Sequence, residues 1–133
     1  MKSTLLVLFV AGALVCGVTA YAHHSFPATY QVNKIITIEG KMTQLLLRNP
    51  HSFLQVDAPD VSGTMQRWSL EWGGAGQLTS QGVVKDTLKV GDTLIITANP
   101  ARSTEGSTRA LLKTIRRPSD GWTWGNAPGQ VVE

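Results

Sequence analysis

Hydrophobic and polar residues alternate along five segments of the chain, and the longest of them starts at Ile35. Its apolar residues on one side are Ile36, Ile38 and Met42, and polar residues occupy the other side. A period of two is typical of a half-buried strand. Since Gly40 interrupts the alternation, we expect a long strand bent at this glycine. It continues to Leu47 and ends at residues 48–50, because Pro50 cannot donate a hydrogen bond to a β-ladder.

Four shorter segments alternate in the same way. They cover residues 52–57, 65–72, 93–98 and 110–116. A dense cluster of turn residues over 58–63 predicts a hairpin connection between the first two of them. Residues 75–81 follow the strand-breaking pair Gly73-Gly74 and suit two turns of helix ended by Gly82. The pattern therefore predicts three strands, a short helix and two strands.

This order of elements matches the OB-fold, a five-stranded Greek-key barrel of the all-β class with a small helix. A β-sandwich would usually need about seven strands. A first strand bent at Gly40 can pair with both halves of the barrel, which removes free edges. We expect the barrel to cover residues 35–117, with an N-terminal arm over 23–34 and a C-terminal tail over 118–133. Residues 99–109, rich in turn-forming residues, are predicted to form an exposed loop.

Residues 1–22 have the pattern of a cleavable secretory signal. An unbroken apolar stretch covers residues 5–18, and the small residues Ala20 and Ala22 fit a signal-peptidase site. We expect cleavage after Ala22, which makes His23 the N-terminus, or alternatively after Ala20. The apolar stretch is shorter than the roughly 18 residues that indicate a transmembrane helix. The sequence thus predicts a periplasmic or secreted protein without a permanent membrane anchor.

Cleavage of this signal removes Cys16, the one cysteine of the chain. The mature chain then has no disulfide, thiolate metal site or cysteine nucleophile. Loss of Lys2 reduces the 12 Lys and Arg residues to 11 against 9 Asp and Glu residues, for a formal charge of +2. Such a small charge does not indicate nucleic acid or an anionic membrane as a partner. A remainder of about 111 residues allows one domain.

The three histidines lie at an expected chain end or at a turn: His23 and His24 at the new N-terminus, and His51 just after Asn49-Pro50. An N-terminal histidine chelates one metal through its α-amine and its ring, and a second imidazole completes a T-shaped three-nitrogen site suited to Cu(II). His51 is the natural candidate for that second ring. Copper binding displaces the protons that these groups otherwise carry.

The same histidines have two other interpretations. Cleavage after Ala20 would place His23 third in the chain, where an amine, two amides and an imidazole also hold Cu(II) in a square plane. The second interpretation is a purely structural role. Paired histidines at a terminus are commonly solvated, and His51 can cap its turn through side-chain hydrogen bonds.

A second set of candidates would bind a ligand through aromatic and basic side chains. It consists of Trp68, Trp122, Trp124, Arg102 and Arg109. OB-folds use stacking platforms of this kind for bases or sugars. Trp68 shares a face with Leu70, which is typical of a core residue, and the other two indoles are equally suited to covering the open end of the barrel. The arginines also fit a solvated basic face.

The sequence contains no catalytic constellation that we recognise. Serine, histidine and aspartate are all present, but no nucleophile elbow, paired-carboxylate spacing, P-loop or dinucleotide-binding glycine motif organises them. We therefore expect a binding protein and not an enzyme.

Four motifs follow one another along the chain: His23-His24-Ser25-Phe26, the Gly40 strand leading to Asn49-Pro50-His51, the Trp68 strand ending in Gly73-Gly74, and the Leu-Lys-Val-Gly-Asp run at 88–92. Together they resemble a bacterial domain-of-unknown-function family of small exported proteins. The resemblance covers essentially the whole mature chain. It implies an exported β-barrel in which His23, His24 and His51 correspond to the histidines of the family's motifs. It implies no activity. Residues 74–77 are poorer in helix formers than the resemblance leads us to expect, which leaves the helix length open.

Three functions follow from these observations. The first is a periplasmic OB-fold protein that holds copper through its histidines for delivery, sequestration or a partner's redox work. The second is a barrel that binds a glycan, a peptide or an envelope protein through its tryptophans and the loop at 99–109. The third is an accessory subunit of an envelope oxidoreductase. An open groove lined by indoles would favour the second function, and enclosed indoles would count against it.

Overall fold

The computed structural model describes residues 25–102, 107–126 and 130–132, and most of them belong to β-strands. The elements are α1 (Phe26–Thr29), β1 (Ile36–Leu46), β2 (Phe53–Pro59), β3 (Met65–Glu71), α2 (Ala75–Ser80), β4 (Thr93–Pro100), β5 (Arg109–Arg117) and β6 (Trp122–Trp124). All five predicted strands and the predicted helix are present, and their ends lie within two residues of the predicted ones. Neither helix of this described part is long and apolar enough to cross a membrane.

The strands β1 to β5 close into a barrel. The first half of β1, residues 36–41, pairs antiparallel with β4, and its second half, residues 41–46, pairs antiparallel with β2. The two halves meet at Gly40 and Lys41, where the sequence predicted a bend. Parallel pairing of Ser69 with Arg109 joins β3 to β5 and completes the circle. The predicted five-stranded OB-fold barrel is confirmed.

Side chains from every strand of the barrel fill its interior. Fully buried examples are Leu54 of β2, Leu70 of β3, Leu94 and Ile96 of β4, and Leu112 of β5. Leu78 of α2 is also fully buried, so this short helix closes one end of the core. Gly82 ends the helical segment with a φ of 83°, a left-handed conformation that glycine adopts without steric cost.

A sixth strand, β6, lies in the segment that the sequence pattern interpreted as a tail. It pairs antiparallel with the end of β5, with Trp124 opposite Ile115. Trp124 is buried and packs edge-to-face on Trp72, with 5.0 Å between the ring centroids. Three residues are too short for a recognisable alternation, and the burial of Trp124 explains why this segment joins the sheet.

The N-terminal arm packs against the barrel. Tyr30 forms an isolated β-bridge with Ala101, and these two residues form a small second cluster with Leu111 and Phe26. The buried side chain of Asn99 donates hydrogen bonds to the backbone oxygens of Val32, at 3.3 Å, and Lys34, at 2.7 Å. The described part of the arm is therefore held at the end of the barrel where β4 finishes and β5 begins.

Arg117, at the end of β5, connects two loops, the one between α2 and β4 and the one between β5 and β6. Its guanidinium donates to Asp92 Oδ2 at 2.7 Å, to the backbone oxygen of Thr87 at 2.8 Å and to Asp120 Oδ2 at 2.8 Å. The Lys89 backbone N–H and the Arg117 guanidinium lower the pKa of Asp92 below its ordinary value. Both side chains of the Arg117–Asp92 pair are largely buried, so water and salt screen it only in part.

We expect Arg117→Met to lower the free energy of unfolding by about 2 kcal/mol at neutral pH, because charged hydrogen bonds are lost. A carboxyl group with a depressed pKa in the folded state stabilises the protein above its unfolded-state pKa of about 3.9. That contribution is lost as the pH falls through the folded-state value. The difference in unfolding free energy between wild type and Arg117→Met should therefore be constant above pH 5 and shrink below about pH 4. Urea titrations over this range measure it.

Arg116→Met is the matched control, since the neighbouring Arg116 side chain is exposed. This variant should lose less than about 0.5 kcal/mol at every pH. A pH-independent deficit in Arg117→Met would mean that the guanidinium stabilises the loops through the Thr87 backbone oxygen, and not through the carboxylates of Asp92 and Asp120.

Candidate functional site

The turn that carries His51 is fixed by its neighbours on both sides. The buried side chain of Ser52 bonds to both the backbone nitrogen and the backbone oxygen of Arg48, each at 3.2 Å. The Ser52 backbone exchanges hydrogen bonds with the segment after β3, to Gly73 oxygen at 3.0 Å and from Trp72 nitrogen at 2.8 Å. A Cβ atom on Gly74 would lie 2.7 Å from the Pro50 oxygen. The Asn-Pro-His turn and the Gly-Gly pair are therefore packed against each other.

His51 contacts a buried carboxylate at the end of β3. Its Nδ1 atom lies 2.5 Å from Oε1 of Glu71. The side chain of Glu71 is 11% exposed, and that of His51 is 26% exposed. An ionised carboxylate only accepts hydrogen bonds, so the proton of this contact lies on Nδ1 of His51. The other ring nitrogen, Nε2, is then the one available for a ligand.

The second oxygen of Glu71 is bonded to the N-terminal arm. The hydroxyl group of Tyr30 donates a hydrogen bond to Oε2 of Glu71. Burial, followed by this carboxylate, raises the pKa of Tyr30 well above its ordinary value, so the hydroxyl keeps its proton and acts as the donor. Arg109 Nη2 lies 3.9 Å from the same oxygen. Glu71 thus joins the arm, the His51 turn and the start of β5.

The start of the arm lies over His51. Pro27 is in the first turn of α1, where its fixed φ angle favours a helical conformation. This single turn places the ring of Phe26 against the His51 imidazole, with 5.4 Å between centroids and 32° between planes. Phe26 also approaches Tyr30, at 6.3 Å between centroids. Phe26 therefore covers one side of the imidazole.

The histidines at the expected N-terminus, His23 and His24, lie outside the described residues. Within the described ranges, no group of three or more His, Cys, Asp or Glu side chains is arranged to hold a metal ion. A metal on His51 would therefore need additional ligands from elsewhere in the chain.

The predicted tryptophan platform is placed largely in the core. Trp68 is 6% exposed and Trp124 is 1% exposed. The indole N–H of Trp124 donates to Oε1 of Gln81 at 3.1 Å. Trp122 is half-buried, and the Arg117 guanidinium lies 5.6 Å from its ring centroid. Burial leaves almost no face of Trp68 or Trp124 on which a ligand can stack, because their alternating positions face the barrel interior.

The two predicted arginines lie near the arm. The exposed Arg102 donates to the backbone oxygen of Pro27 at 2.7 Å, and its own backbone nitrogen bonds to Thr29. Arg109 lies beside Glu71. Of the predicted site residues, Arg109 and His51 therefore lie beside the same carboxylate, that of Glu71. Arg102 is hydrogen-bonded to α1, whose Phe26 covers His51.

Sequence reasoning missed Glu71 and Tyr30. Glu71 occupies one of the polar positions of the alternating segment 65–72, and none of the candidate sites included it. The available signal for a site at Glu71 was its position near the end of a strand, just before Trp72 and the Gly73-Gly74 pair, and this signal is weak. Nothing in the pattern around Tyr30 indicated a long-range partner 41 residues away.

Two surface depressions, of about 580 and 500 Å³, lie along β1, β2 and the loop before β4. Met42, Thr43 and Val90 line both of them. None of the predicted site residues within the described part of the chain lines either depression. The His51 site and these two depressions are therefore separate features of the surface.

Comparison with known proteins places the chain in a family without assigning an activity. The sequence profile described as "Family of unknown function (DUF6152)" matches residues 12–111. No curated protein matches the sequence. Among solved structures, the chain is similar to the mitochondrial single-stranded DNA-binding protein Rim1 of S. cerevisiae, with 12% identity, coverage of 64% of this chain and 94% of that chain, and a TM-score of 0.46.

Proposed function

The chain belongs to DUF6152, a family of unknown function, and we propose that it is an exported copper-binding protein, not an enzyme. In this proposal the signal over residues 1–22 is removed, His23 becomes the N-terminus, and Cu(II) is held by the terminal histidines His23 and His24 together with His51. The protein carries the metal for delivery, sequestration or a partner's redox chemistry outside the cytoplasm.

The contact between His51 and Glu71 is the observation that carries this proposal. Histidines that bind metals almost always donate their second ring N–H to a carboxylate, a backbone oxygen or water. His51 makes this contact through Nδ1, at 2.5 Å from Glu71 Oε1. Its Nε2 atom therefore has the lone pair that a metal ion requires.

The position of Phe26 supports the participation of the terminal histidines. Its ring lies 5.4 Å from the ring of His51. His23 precedes Phe26 by three residues, a stretch that spans at most about 11 Å. A metal bound to His51 Nε2 at about 2.0 Å is thus within reach of the α-amine and the ring of His23.

The ligand types favour copper over other metals. An amine and two or three imidazoles form an all-nitrogen set, which Cu(II) binds most tightly among the divalent first-row ions. Calcium and magnesium prefer oxygen ligands. A site without thiolates also retains its ligands under oxidising conditions outside the cytoplasm, where a free cysteine would be lost to disulfides.

The test begins with the intact mass of the exported protein, which determines its N-terminus. The same sample is then titrated with Cu(II) in competition with a chelator, beside the variant His51→Ala. We expect His23 to be the first residue and one copper to bind per chain. The dissociation constant should be at least about 100-fold higher in His51→Ala, because a residue that binds the metal directly contributes at least as much to affinity as the residues that orient it.

A chain that starts at His23 with its α-amine acetylated is the matched control for the terminal chelate. It keeps every side chain but removes the amine as a copper ligand, and we expect it to bind copper as weakly as His51→Ala. Tight binding that does not change in His51→Ala, or a mature chain that starts at Tyr21 and uses its amides, would contradict the proposal. Weak binding by wild type would instead make the histidines structural.

A further inference from the structure

A groove follows the outside of β1. It consists of two neighbouring depressions, the first of about 580 Å³ and the second of about 500 Å³, which share Met42, Thr43 and Val90. We propose that this groove binds an extended peptide of a partner protein, one that carries an apolar side chain and, on the same face, a carboxylate. The proposal is independent of copper binding, because it uses neither His51 nor the N-terminal histidines.

The shape of the groove suits an extended segment. Its floor is β1 from Glu39 to Leu45, a length of about 20 Å at about 3.3 Å per residue. The loop before β4 forms one wall with residues 85–91. Met65 and Arg67 of β3 belong to the opposite wall. A peptide of about seven residues in extended conformation has the length of this groove.

The second depression is the apolar end of the groove. Two exposed apolar side chains line it from opposite walls, Met65, which is 63% exposed, and Val90, which is 73% exposed. Gly40 and Gly91 line it without a side chain, which leaves room between the walls. A methionine side chain adapts to partners of different shape. An apolar side chain of a peptide would remove this surface from water.

The first depression is the basic end. Lys85, Lys89 and Arg67 line it, and Asp86 is the one carboxylate among the described residues that do so. Arg67 is already paired with Asp57, at 2.8 and 3.0 Å. In the described part of the chain, no carboxylate lies within ion-pair distance of the two lysine ammonium groups. This end therefore attracts a carboxylate of the ligand.

A peptide fits this groove better than a fatty acid, which also combines an apolar part with a carboxylate. Pockets for small molecules enclose most of the ligand surface, whereas buried side chains such as Leu54, Leu94 and Leu112 fill the barrel and the groove lies outside it. The β1 residues that line the second depression are 39–43, and those that line the first are 42–45, so the two centres lie about 8 Å apart. Side chains on one face of an extended peptide recur about every 7 Å. We therefore expect the apolar residue and the acidic residue two or four positions apart.

The test selects peptides from a phage-displayed library of random linear sequences on the whole exported protein without copper. We expect the enriched peptides to share a large apolar residue with Asp or Glu two or four positions away. A labelled synthetic copy of the most enriched sequence is then titrated by fluorescence anisotropy. Its dissociation constant should rise about tenfold in Lys85→Glu/Lys89→Glu and about tenfold in Met65→Ser/Val90→Ser. These four side chains are exposed, so both variants should fold.

Matched controls lie outside both depressions. They are Lys34→Glu/Lys113→Glu for charge and Val61→Ser for apolar surface, all at exposed positions, and they should bind the peptide like wild type. Added salt should weaken binding by wild type more than binding by Lys85→Glu/Lys89→Glu, because salt screens exposed charges.

The proposal requires both ends of the groove. It would be overturned if no peptide is enriched, if either groove variant binds like wild type, or if the control lysine pair weakens binding as much as the groove lysines do. The last result would mean that net charge alone attracts the peptide. His51→Ala should bind the peptide like wild type, so this test and the copper titration can fail independently.

Discussion

Gly40→Val is expected to lower the free energy of unfolding by at least about 3 kcal/mol, or to prevent folding. A Cβ atom at this position would lie 2.6 Å from Cβ of Ala58 and 2.9 Å from Cγ1 of Val56, and it would also overlap the backbone oxygen of Asp57. Backbone atoms of a paired strand cannot move aside as a flexible side chain does. At this point β1 changes its partner from β4 to β2, and the missing side chain of Gly40 lets the two strands approach closely.

Gly76→Ala provides the comparison for this prediction. Gly76 lies in α2, and nothing is within 4 Å of the Cβ atom that alanine would add. Since alanine is favoured over glycine in a helix, this variant should gain about 0.5 to 1 kcal/mol. Chemical denaturation followed by tryptophan fluorescence measures both variants. A Gly40→Val protein as stable as wild type would show that β1 and β2 are not in close contact at this point.

The role of Gly40 was predictable because it depends on local pattern. Alternation of apolar residues on either side of one glycine identifies a strand and its bend without knowledge of the partner strand. The five strands and α2 were predicted for the same reason. The pairing of β3 with β5 was predicted only through the fold as a whole, since the register of Ser69 with Arg109 has no signature in either strand.

The candidate site was harder to predict because it depends on residues far apart in the chain. His51 was a candidate because the chain has only three histidines and because this one follows the turn at Asn49-Pro50. The carboxylate that holds it is 20 residues further along in β3, and the tyrosine that holds the carboxylate is 41 residues before Glu71. Three separate segments meet only when the barrel is closed and the arm is packed on it. Alternation along β3 also predicts an exposed Glu71, whereas the arm and the turn cover it.

The strand β6 was missed for a different physical reason, since the sequence pattern assigned this segment to a tail and the burial of Trp124 places it in the sheet. Trp122 and Trp124 were both predicted to bind a ligand or to cover the open end of the barrel. The structure gives them unequal surroundings, since Trp124 is buried and Trp122 is half-buried. Gly125, with a φ of 86°, ends the strand directly after Trp124, where an added Cβ atom would lie 3.0 Å from the Cα atom of Thr114. The tail therefore lies close against β5 at Trp124 and is more open at Trp122.

Trp124→Ala is consequently expected to lower the free energy of unfolding by about 3 to 5 kcal/mol, because it leaves a cavity beside Trp72 in the core. Trp122→Ala should cost only about 1 kcal/mol, since it mainly removes the contact with the Arg117 guanidinium. Equilibrium unfolding in urea measures the two variants side by side. The hypothesis that both indoles bind a ligand makes the opposite prediction: equal, small losses of stability and a common loss of binding. If Trp124→Ala unfolds at the same urea concentration as Trp122→Ala, both tryptophans are surface groups. That result would favour the hypothesis that they bind a ligand, which the burial of Trp124 counts against.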